Sequence, residues 1–265
     1  RQHGEWQYFS VDGSLDHIEH YDAGVASGVW QRFNSQQQVI ETTQFERGEK
    51  TNVSRFYDNG KIQSIEHYQN NLRHGLWQTF HANGEVAEAW TYANNQLNGP
   101  YQSTDEQGSV LLQGQYNSNG QQDGLWTQFF AADRPAAKTH YLNGQRHGVA
   151  EQFNTDGTLI SRCAFQHGAE HGECREFHVN GQLARVSAYQ QGKLHGEHLR
   201  YSSEGVLLEK FNFIDGMQAG EQLTYHSNGK LDHRIQYHTT ERNANGQFPQ
   251  HGVQERYSVD GLPIV

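Results

Sequence analysis

The chain has 265 residues, 28 of them glycine, with 12% aromatic and only 34% apolar residues and a mean hydropathy of −0.91. So few aliphatic side chains cannot fill a thick globular core, and no stretch approaches the roughly 18 apolar residues that span a membrane. The formal charge of −10 disfavours nucleic acid and anionic lipid, since both reward a basic surface. It is compatible with a basic protein partner, or with solubility alone.

A single pattern begins at the N-terminus and recurs about eleven times at a spacing of about 24 residues. Each copy has a first glycine, an aromatic residue five positions later, a second glycine nine positions after the first, and another aromatic eight further on. The first glycines, with Thr51 as a stand-in, are Gly4, Gly28, Thr51, Gly75, Gly99, Gly124, Gly148, Gly172, Gly196, Gly220 and Gly252. Because Arg1–Phe9 already lies inside the pattern and holds no signal peptide, we expect a native segment to precede residue 1.

The two glycines predict two turns in each copy. Asn-Gly and Asp-Gly at the second glycine, between half-apolar runs, predict the tight turn of a β-hairpin, and a wider turn is expected at the first glycine. Gln37 and Asp133 replace the second glycine in two copies. We therefore predict an all-β fold: an elongated, twisted, single-layer antiparallel β-meander of about eleven hairpin repeats of ~24 residues, forming one domain over residues 1–265. Closure into a barrel is less favoured, because nothing marks a closing pair of strands.

The position two residues after the first glycine, here called the Trp slot, differs between the halves of the chain. Its occupants in the first half are Trp6, Trp30, Trp77, Tyr101 and Trp126, and in the second half Ala150, Cys174, His198, Gln222 and Gln254. The C-terminal half is therefore expected to pack less tightly, or to pack against something else. The Trp slot and the aromatic residue three positions later have opposite parity, so either both faces carry aromatics or a bulge realigns them.

The segments HGEWQYFSVDGSL, HGLWQTFHANGEV and KLHGEHLRYSSEGVLLEKFNFIDG resemble the MORN repeat, in the bacterial variant found in YwqK-like antitoxin proteins. The pattern covers essentially the whole chain. The resemblance implies an immunity protein, or antitoxin, that binds a cognate toxin or secreted effector and neutralises it by protein–protein contact. A MORN-type membrane or cell-envelope scaffold is the alternative, and a carbohydrate-binding module that uses the aromatic rows is a third.

Charge separates the first two hypotheses. No Lys/Arg stripe of the kind that anionic lipid requires recurs at a fixed repeat position, so membrane contact is not expected except through a missing N-terminal anchor. A cognate toxin with a basic surface is the expected partner.

The 17 histidines do not form a recognisable metal site. Six of them precede a first glycine, and equivalent positions in successive copies lie roughly 9–10 Å apart, too far to share a zinc ion at ~2 Å per ligand. We interpret them as turn residues of the repeat. His167 and His171, with Glu170, are the nearest approach to a ligand set. We expect no metal and no cofactor.

Catalytic motifs are absent from the sequence as well. There is no nucleophile elbow and no HExxH, and the glycines are single turn residues, not a phosphate-cradling cluster. The carboxylates Glu41, Glu66, Glu88 and Glu209 are interpreted as solvated side chains on strand faces. The sequence predicts that the protein is not an enzyme.

Cys163 and Cys174 flank the predicted turn Gln166–Gly172 at equal distances, so a hairpin would place them opposite each other. A disulfide is the favoured interpretation, and two reduced core cysteines are the alternative. A disulfide would indicate an oxidising compartment, so we expect the bacterial periplasm or envelope rather than the cytoplasm.

Two further places depart from the repeat. The last step between first glycines is longer by about eight residues, which lie at about 238–250 and indicate a loop on one face, often the binding face. Arg242, Asn243 and Phe248 are its candidate partner-binding residues, although a neutral change of length is equally compatible. Trp90 lies outside the Trp slot and is predicted to be either an exposed anchor for a partner or packed on Tyr101.

Overall fold

The computed structural model describes residues 1–130, 133–252 and 254–264, and this part of the chain contains strands and turns but no helix. The contacts divide the chain into two units, Arg1–Asp133 (unit 1) and Arg134–Val265 (unit 2). Within each unit the described strands follow one another in chain order, and every described pairing is antiparallel. The predicted all-β, antiparallel meander of hairpin repeats is confirmed. The extent of a single domain stays a prediction.

Each regular repeat supplies two strands of six to nine residues. In unit 1 the strands are β1 (Gly4–Phe9), β2 (Leu15–Asp22), β3 (Val25–Ala26), β4 (Gly28–Phe33), β5 (Val39–Glu46), β6 (Glu49–Phe56), β7 (Ile62–Gln69), β8 (Leu72–Arg73), β9 (Gly75–Phe80), β10 (Val86–Ala93), β11 (Gln96–Thr104), β12 (Val110–Tyr116) and β13 (Gln122–Phe130). In unit 2 they are β14 (Arg134–Leu142), β15 (Gln145–Phe153), β16 (Leu159–Gln166), β17 (Ala169–Phe177), β18 (Leu183–Gln190), β19 (Lys193–Tyr201), β20 (Leu207–Ile214), β21 (Met217–Gln218), β22 (Gly220–Tyr225), β23 (Leu231–Tyr237), β24 (Glu255–Tyr257) and β25 (Pro263–Ile264).

The tight and wide turns are the reverse of those predicted. The two-residue turns precede the first glycine, as at Ala23-Gly24, where φ is 49° and 88° and Asp22 pairs with Val25. Two successive positive φ values are the geometry of a type I′ hairpin turn. At the second glycine the loop has three residues: the backbone N–H of Gly13 donates to the Ser10 carbonyl, and only that glycine has a positive φ. The Asp-Gly pair therefore belongs to a wider turn with a bulge.

The first glycines from Gly4 to Gly220 lie in strands, so for them the prediction of a turn is wrong, whereas Gly252 lies in a bend. In β15 the register pairs Tyr141 with Arg146 and Thr139 with Ala150, which leaves residues 147–149 facing the single residue His140. Gly148 adopts φ 86° inside this bulge, a value that an L side chain rarely takes. Of the six histidines that precede a first glycine, His147, His171 and His195 are likewise strand residues, whereas His3, His74 and His251 lie outside the strands. A second register shift lies between Gln152 and Phe153, next to the aromatic residue of the first strand. It is the bulge that the sequence offered as one way to bring this aromatic and the Trp slot to the same face.

The two sides of the unit 1 sheet differ in chemistry. One side, the aromatic face, carries the Trp slot and the aromatics that end each second strand, and buried residues such as Val53 and Trp126 lie there. Side chains alternate along a strand, so the residues next to the Trp slot point to the other side. We call that side the amide face, and it is marked by Val29, Gln31, Gln44, Leu76, Gln78, Pro100, Gln102, Gln113, Gln115 and Leu125.

Candidate functional site

The Trp-slot residues of unit 1 form the framework of the aromatic face. Trp30 packs between Tyr21 and Phe45, with ring centroids 5.3 and 4.5 Å away, and its Nε1–H donates to the His20 carbonyl at 3.0 Å. The same donation recurs from Trp77 to His67 at 2.9 Å and from Trp126 to Gln115 at 3.1 Å. These indole N–H groups donate to backbone carbonyls opposite the bulges. Each of the three tryptophans therefore serves mainly to stabilise the sheet.

Unit 2 fills the same slot with other groups and stays packed. Gln222 is 3% exposed, and its Nε2 donates to the Asn212 carbonyl at 3.0 Å, the carbonyl equivalent to those that the indoles satisfy. It also donates to Ala219 at 2.8 Å. His198 lies 2.9 Å from Ser187 Oγ, and burial lowers the pKa of its imidazole. The sequence offered looser packing of the C-terminal half as one of two alternatives. At Gln222 and His198 the Trp slot is closely packed instead.

Cys174, a third slot residue of unit 2, is joined to Cys163 in a disulfide. The turn between them is His167-Gly168, shorter than the predicted Gln166–Gly172. The register shift at the bulge nevertheless brings the two cysteines opposite each other, with their Cα atoms 4.0 Å apart.

Carboxylates on the aromatic face are engaged more closely than the sequence suggested. Arg55 lies between Glu41, at 3.1 Å, and Glu66, with which it forms a close ion pair. Glu66 is only 8% exposed, so its interpretation as a solvated side chain is wrong. In unit 2, Glu209 accepts from Arg200, and this hydrogen bond lowers the pKa of the carboxyl.

Two grooves open on the aromatic face of unit 1. The first, of about 390 Å³, has Glu19, Trp30 and Glu41 among its lining residues. The Tyr21 hydroxyl donates to Glu19 at 2.7 Å, and this bond, with burial, raises the pKa of Tyr21 to about 12. The residues that line the second groove, of about 430 Å³, include Glu66, Trp77 and Trp90. Carboxylates held beside indole rings are suited to binding cationic side chains.

Trp90 is half-buried and lies opposite Trp77 on one side and Tyr101 on the other. Of its two predicted roles, the packed one agrees with this register, although part of the indole lines the groove. Glu88, two residues earlier, is exposed. Burial, and then the charge of Glu88, raise the pKa of Tyr101.

The acidity of the chain is concentrated in unit 1. Residues 1–133 hold 16 Asp and Glu against 7 Lys and Arg, whereas residues 134–265 hold 14 against 13, so the formal charges are −9 and −1. The composition of the whole chain conceals this asymmetry, and a count by halves would have revealed it. Sequence reasoning also missed Glu19 and Arg55, which a comparison of equivalent repeat positions would have brought forward.

The long connection at 238–250 is an ordered loop. Asn243 accepts backbone N–H donations from Asn245 and Gln247 at 3.0 Å each, in the turn geometry of the second glycine. Phe248 is 5% exposed and lies under the Arg242 guanidinium, 4.6 Å from the ring centre. The prediction that Phe248 contacts a partner fails because its ring is buried and anchors the loop. Arg242 is exposed and forms an ion pair with Asp215 at 3.2 Å.

The structure does not bring His167 and His171 together as a ligand pair. The ring of His167 instead contacts His147, with centroids 5.7 Å apart. Among residues 1–130, 133–252 and 254–264, no group of three or more His, Cys, Asp or Glu is placed to hold a metal ion. The same ranges contain no helix long and apolar enough to cross a membrane.

Fold and site together define a β-hairpin repeat protein whose acidic unit presents an aromatic face. Residues 52–70, 73–94 and 218–238 match the family model described as MORN repeat variant, so the chain carries MORN-variant repeats in both units. No curated protein matches the sequence.

The solved structures that match include those titled "Crystal Structure of TcdB2-TccC3-TEV" and "Crystal Structure of TcdB2-TccC3-Cdc42". Each is 11% identical and covers 96% and 98% of this chain, with TM-scores of 0.19 and 0.18. The chain spans only 15% and 18% of their lengths. TM-scores this low do not show that this chain shares a fold with these structures.

Proposed function

We propose that the protein is a non-enzymatic immunity protein that binds a basic bacterial toxin through unit 1 and neutralises it stoichiometrically. The single observation that carries the proposal is the charge asymmetry, with −9 on unit 1 and −1 on unit 2. A field of one sign on one unit speeds the encounter with a partner of the opposite sign and orients it. The chain carries MORN-variant repeats, and the resemblance of its sequence to bacterial antitoxins suggests a toxin as the class of partner.

The grooves of the aromatic face supply a place for the contact. Glu41, whose carboxylate Arg55 already neutralises in part, and the exposed Glu88 lie beside Trp30 and Tyr101, where a Lys or Arg of the toxin gains both an ion pair and a cation–π contact. The disulfide between Cys163 and Cys174 favours an oxidising compartment, so we place the encounter in the periplasm or envelope.

Co-expression with the product of the neighbouring gene tests the proposal. We expect the protein to restore growth to cells that produce this toxin and to co-purify with it. Neutralising two carboxylates with Glu41→Gln and Glu88→Gln should reduce rescue, while Glu173→Gln and Glu197→Gln in unit 2 serve as the matched control. A neighbouring product that is not toxic would rule against the immunity role. Equal rescue by both double variants would rule against the assignment to unit 1.

A further inference from the structure

The amide face of unit 1 is apolar and amide-rich in an otherwise acidic unit. Across β4 to β13 its outward side chains are aliphatic, amide, hydroxyl or imidazole, apart from the Glu46 and Glu49 pair beside one turn. Asp123, which the register places opposite Gln115, marks its border. Depletion of charge over a continuous surface distinguishes the centre of protein interfaces from ordinary surface.

Aliphatic side chains protrude from this face. Val29 is 42% exposed, Leu76 45% and Leu125 44%, and all three stand one residue after a first glycine. Between the last two a groove of about 570 Å³ is lined by Pro100, Gln102 and Gln113. The rows of apolar knobs and amide groups thus form one surface in place of scattered exposed residues.

Unit 2 shows what the same position looks like when the face is solvated. One residue after the first glycine, three of its repeats have Glu173, Glu197 and Glu221, and the other two have Val149 and Val253. Two of these are paired across the strands, Glu197 with Lys210 at 2.9 Å and Glu221 with Arg234 at 2.6 Å. Charges at this position keep a sheet face in water and prevent face-to-face association. From β4 to β13 the residues of unit 1 at this position are uncharged (Val29, Asn52, Leu76, Pro100 and Leu125), and in unit 1 only Glu5 of β1 is charged there.

We propose that the amide face of unit 1 is the interface of a homodimer, in which two copies pack face to face across a two-fold axis. Two acidic units repel each other wherever their charged surfaces approach. The amide face, where charges are few, is therefore the surface through which two copies of unit 1 can associate. Amide groups donate and accept equally well, so glutamine rows are self-complementary in an isologous contact. Two twisted sheets pack in this way with interleaved side chains at about 10 Å.

The available area fits a modest dimer. Nine strand positions at ~4.8 Å and a width of about four residues give on the order of 600 Å² per copy. That is about 1,200 Å² in total, at the lower end of stable protein interfaces. We therefore expect a dissociation constant in the micromolar range. Raised salt should tighten the dimer, because it screens the repulsion between the two acidic units.

Light scattering after size exclusion tests the proposal, over roughly 1–100 µM protein. The wild type should approach twice 30.3 kDa as concentration rises, more readily in high salt. Leu76→Glu with Leu125→Glu should raise the dissociation constant at least ~100-fold, since two-fold symmetry buries each new charge twice. Val179→Glu, in a turn where Val179 is 86% exposed, should leave it unchanged.

The fold should accept Leu76→Glu and Leu125→Glu, because unit 2 has glutamate at the equivalent position. Circular dichroism of the double variant checks that it is folded. The near-isosteric Gln102→Glu adds a charge without changing packing and should weaken the dimer on its own. A wild type that stays monomeric at every concentration and salt overturns the proposal. A dimer that survives both the double variant and Gln102→Glu also overturns it, because the contact would then lie elsewhere.

Discussion

Gly114→Ala is the substitution for which the structure and simple strand propensity disagree most sharply. Gly114 has no positive φ, and in a strand interior alanine is ordinarily better than glycine by roughly 0.5–1 kcal/mol. A Cβ at this position, however, would lie 2.3 Å from Cδ2 and 2.4 Å from Cε2 of Trp126. Other repeats hold a side chain at the equivalent position, such as Thr43 or Thr139. Gly114 is therefore required by the indole that lies over it.

The cost follows from what must move. Trp126 is 4% exposed, stacks on Tyr101 at 5.6 Å and meets the edge of Tyr116 at 5.2 Å. Complete expulsion would forfeit about 4–6 kcal/mol, taking 150–250 Å² of buried ring at 25 cal/mol per Å². A partial shift of the kind that follows overpacking costs about 1–3 kcal/mol. We expect Gly114→Ala to lower the free energy of unfolding by about 2 kcal/mol.

Urea unfolding followed by tryptophan fluorescence measures the effect, and a double-mutant cycle identifies its cause. In a Trp126→Ala background the clash is gone, so Gly114→Ala should be neutral or slightly stabilising. A single variant as stable as the wild type, or the same loss in both backgrounds, would refute the reasoning.

Three further predictions concern unit 2. Replacing Cys163 and Cys174 by serine should lower the free energy of unfolding by about 2–3 kcal/mol, and a reductant should reproduce the loss only in the wild type. Gln222→Met keeps the volume but removes the side-chain donor to the Ala219 and Asn212 carbonyls, of which Asn212 still accepts from the Ala219 N–H, so urea unfolding should show a loss of about 1 kcal/mol. The Arg200 hydrogen bond lowers the pKa of Glu209 from its ordinary 4.5, so its stabilisation is full above pH 4.5 and lost as pH falls through the depressed value. The unfolding temperature of Glu209→Gln should therefore fall less below pH 4.5 than the unfolding temperature of the wild type. Equal falls would contradict the linkage.

The repeat period made the architecture predictable, because a spacing of about 24 residues with paired turn signals admits few folds. The assignment of the two turns failed for a local reason. Asp12-Gly13 has the composition of a type I′ turn, yet Ala23-Gly24 adopts that geometry. The length of a loop is set by how the strands pair on both sides of the turn. The Asp-Gly dipeptide by itself therefore does not determine it.

The candidate site was less predictable than the fold. Cross-strand neighbours decide the state of a carboxylate, and Arg55 is 11 residues from Glu66 in sequence but adjacent in the sheet. Gln222 looked like the loss of a tryptophan, whereas its amide replaces the indole N–H as a donor. The burial of Phe248 depends on how the loop folds back, which composition does not contain.

Titration of the purified toxin's activity with the purified protein tests the central claim most directly. A stoichiometric inhibitor that acts through unit 1 should abolish activity at a fixed molar ratio, with a sharp break and no turnover. The association rate should fall steeply with ionic strength, as expected for a −9 unit steering a basic partner. Inactivation by substoichiometric amounts would contradict a non-enzymatic role, and association independent of salt would contradict the role of charge.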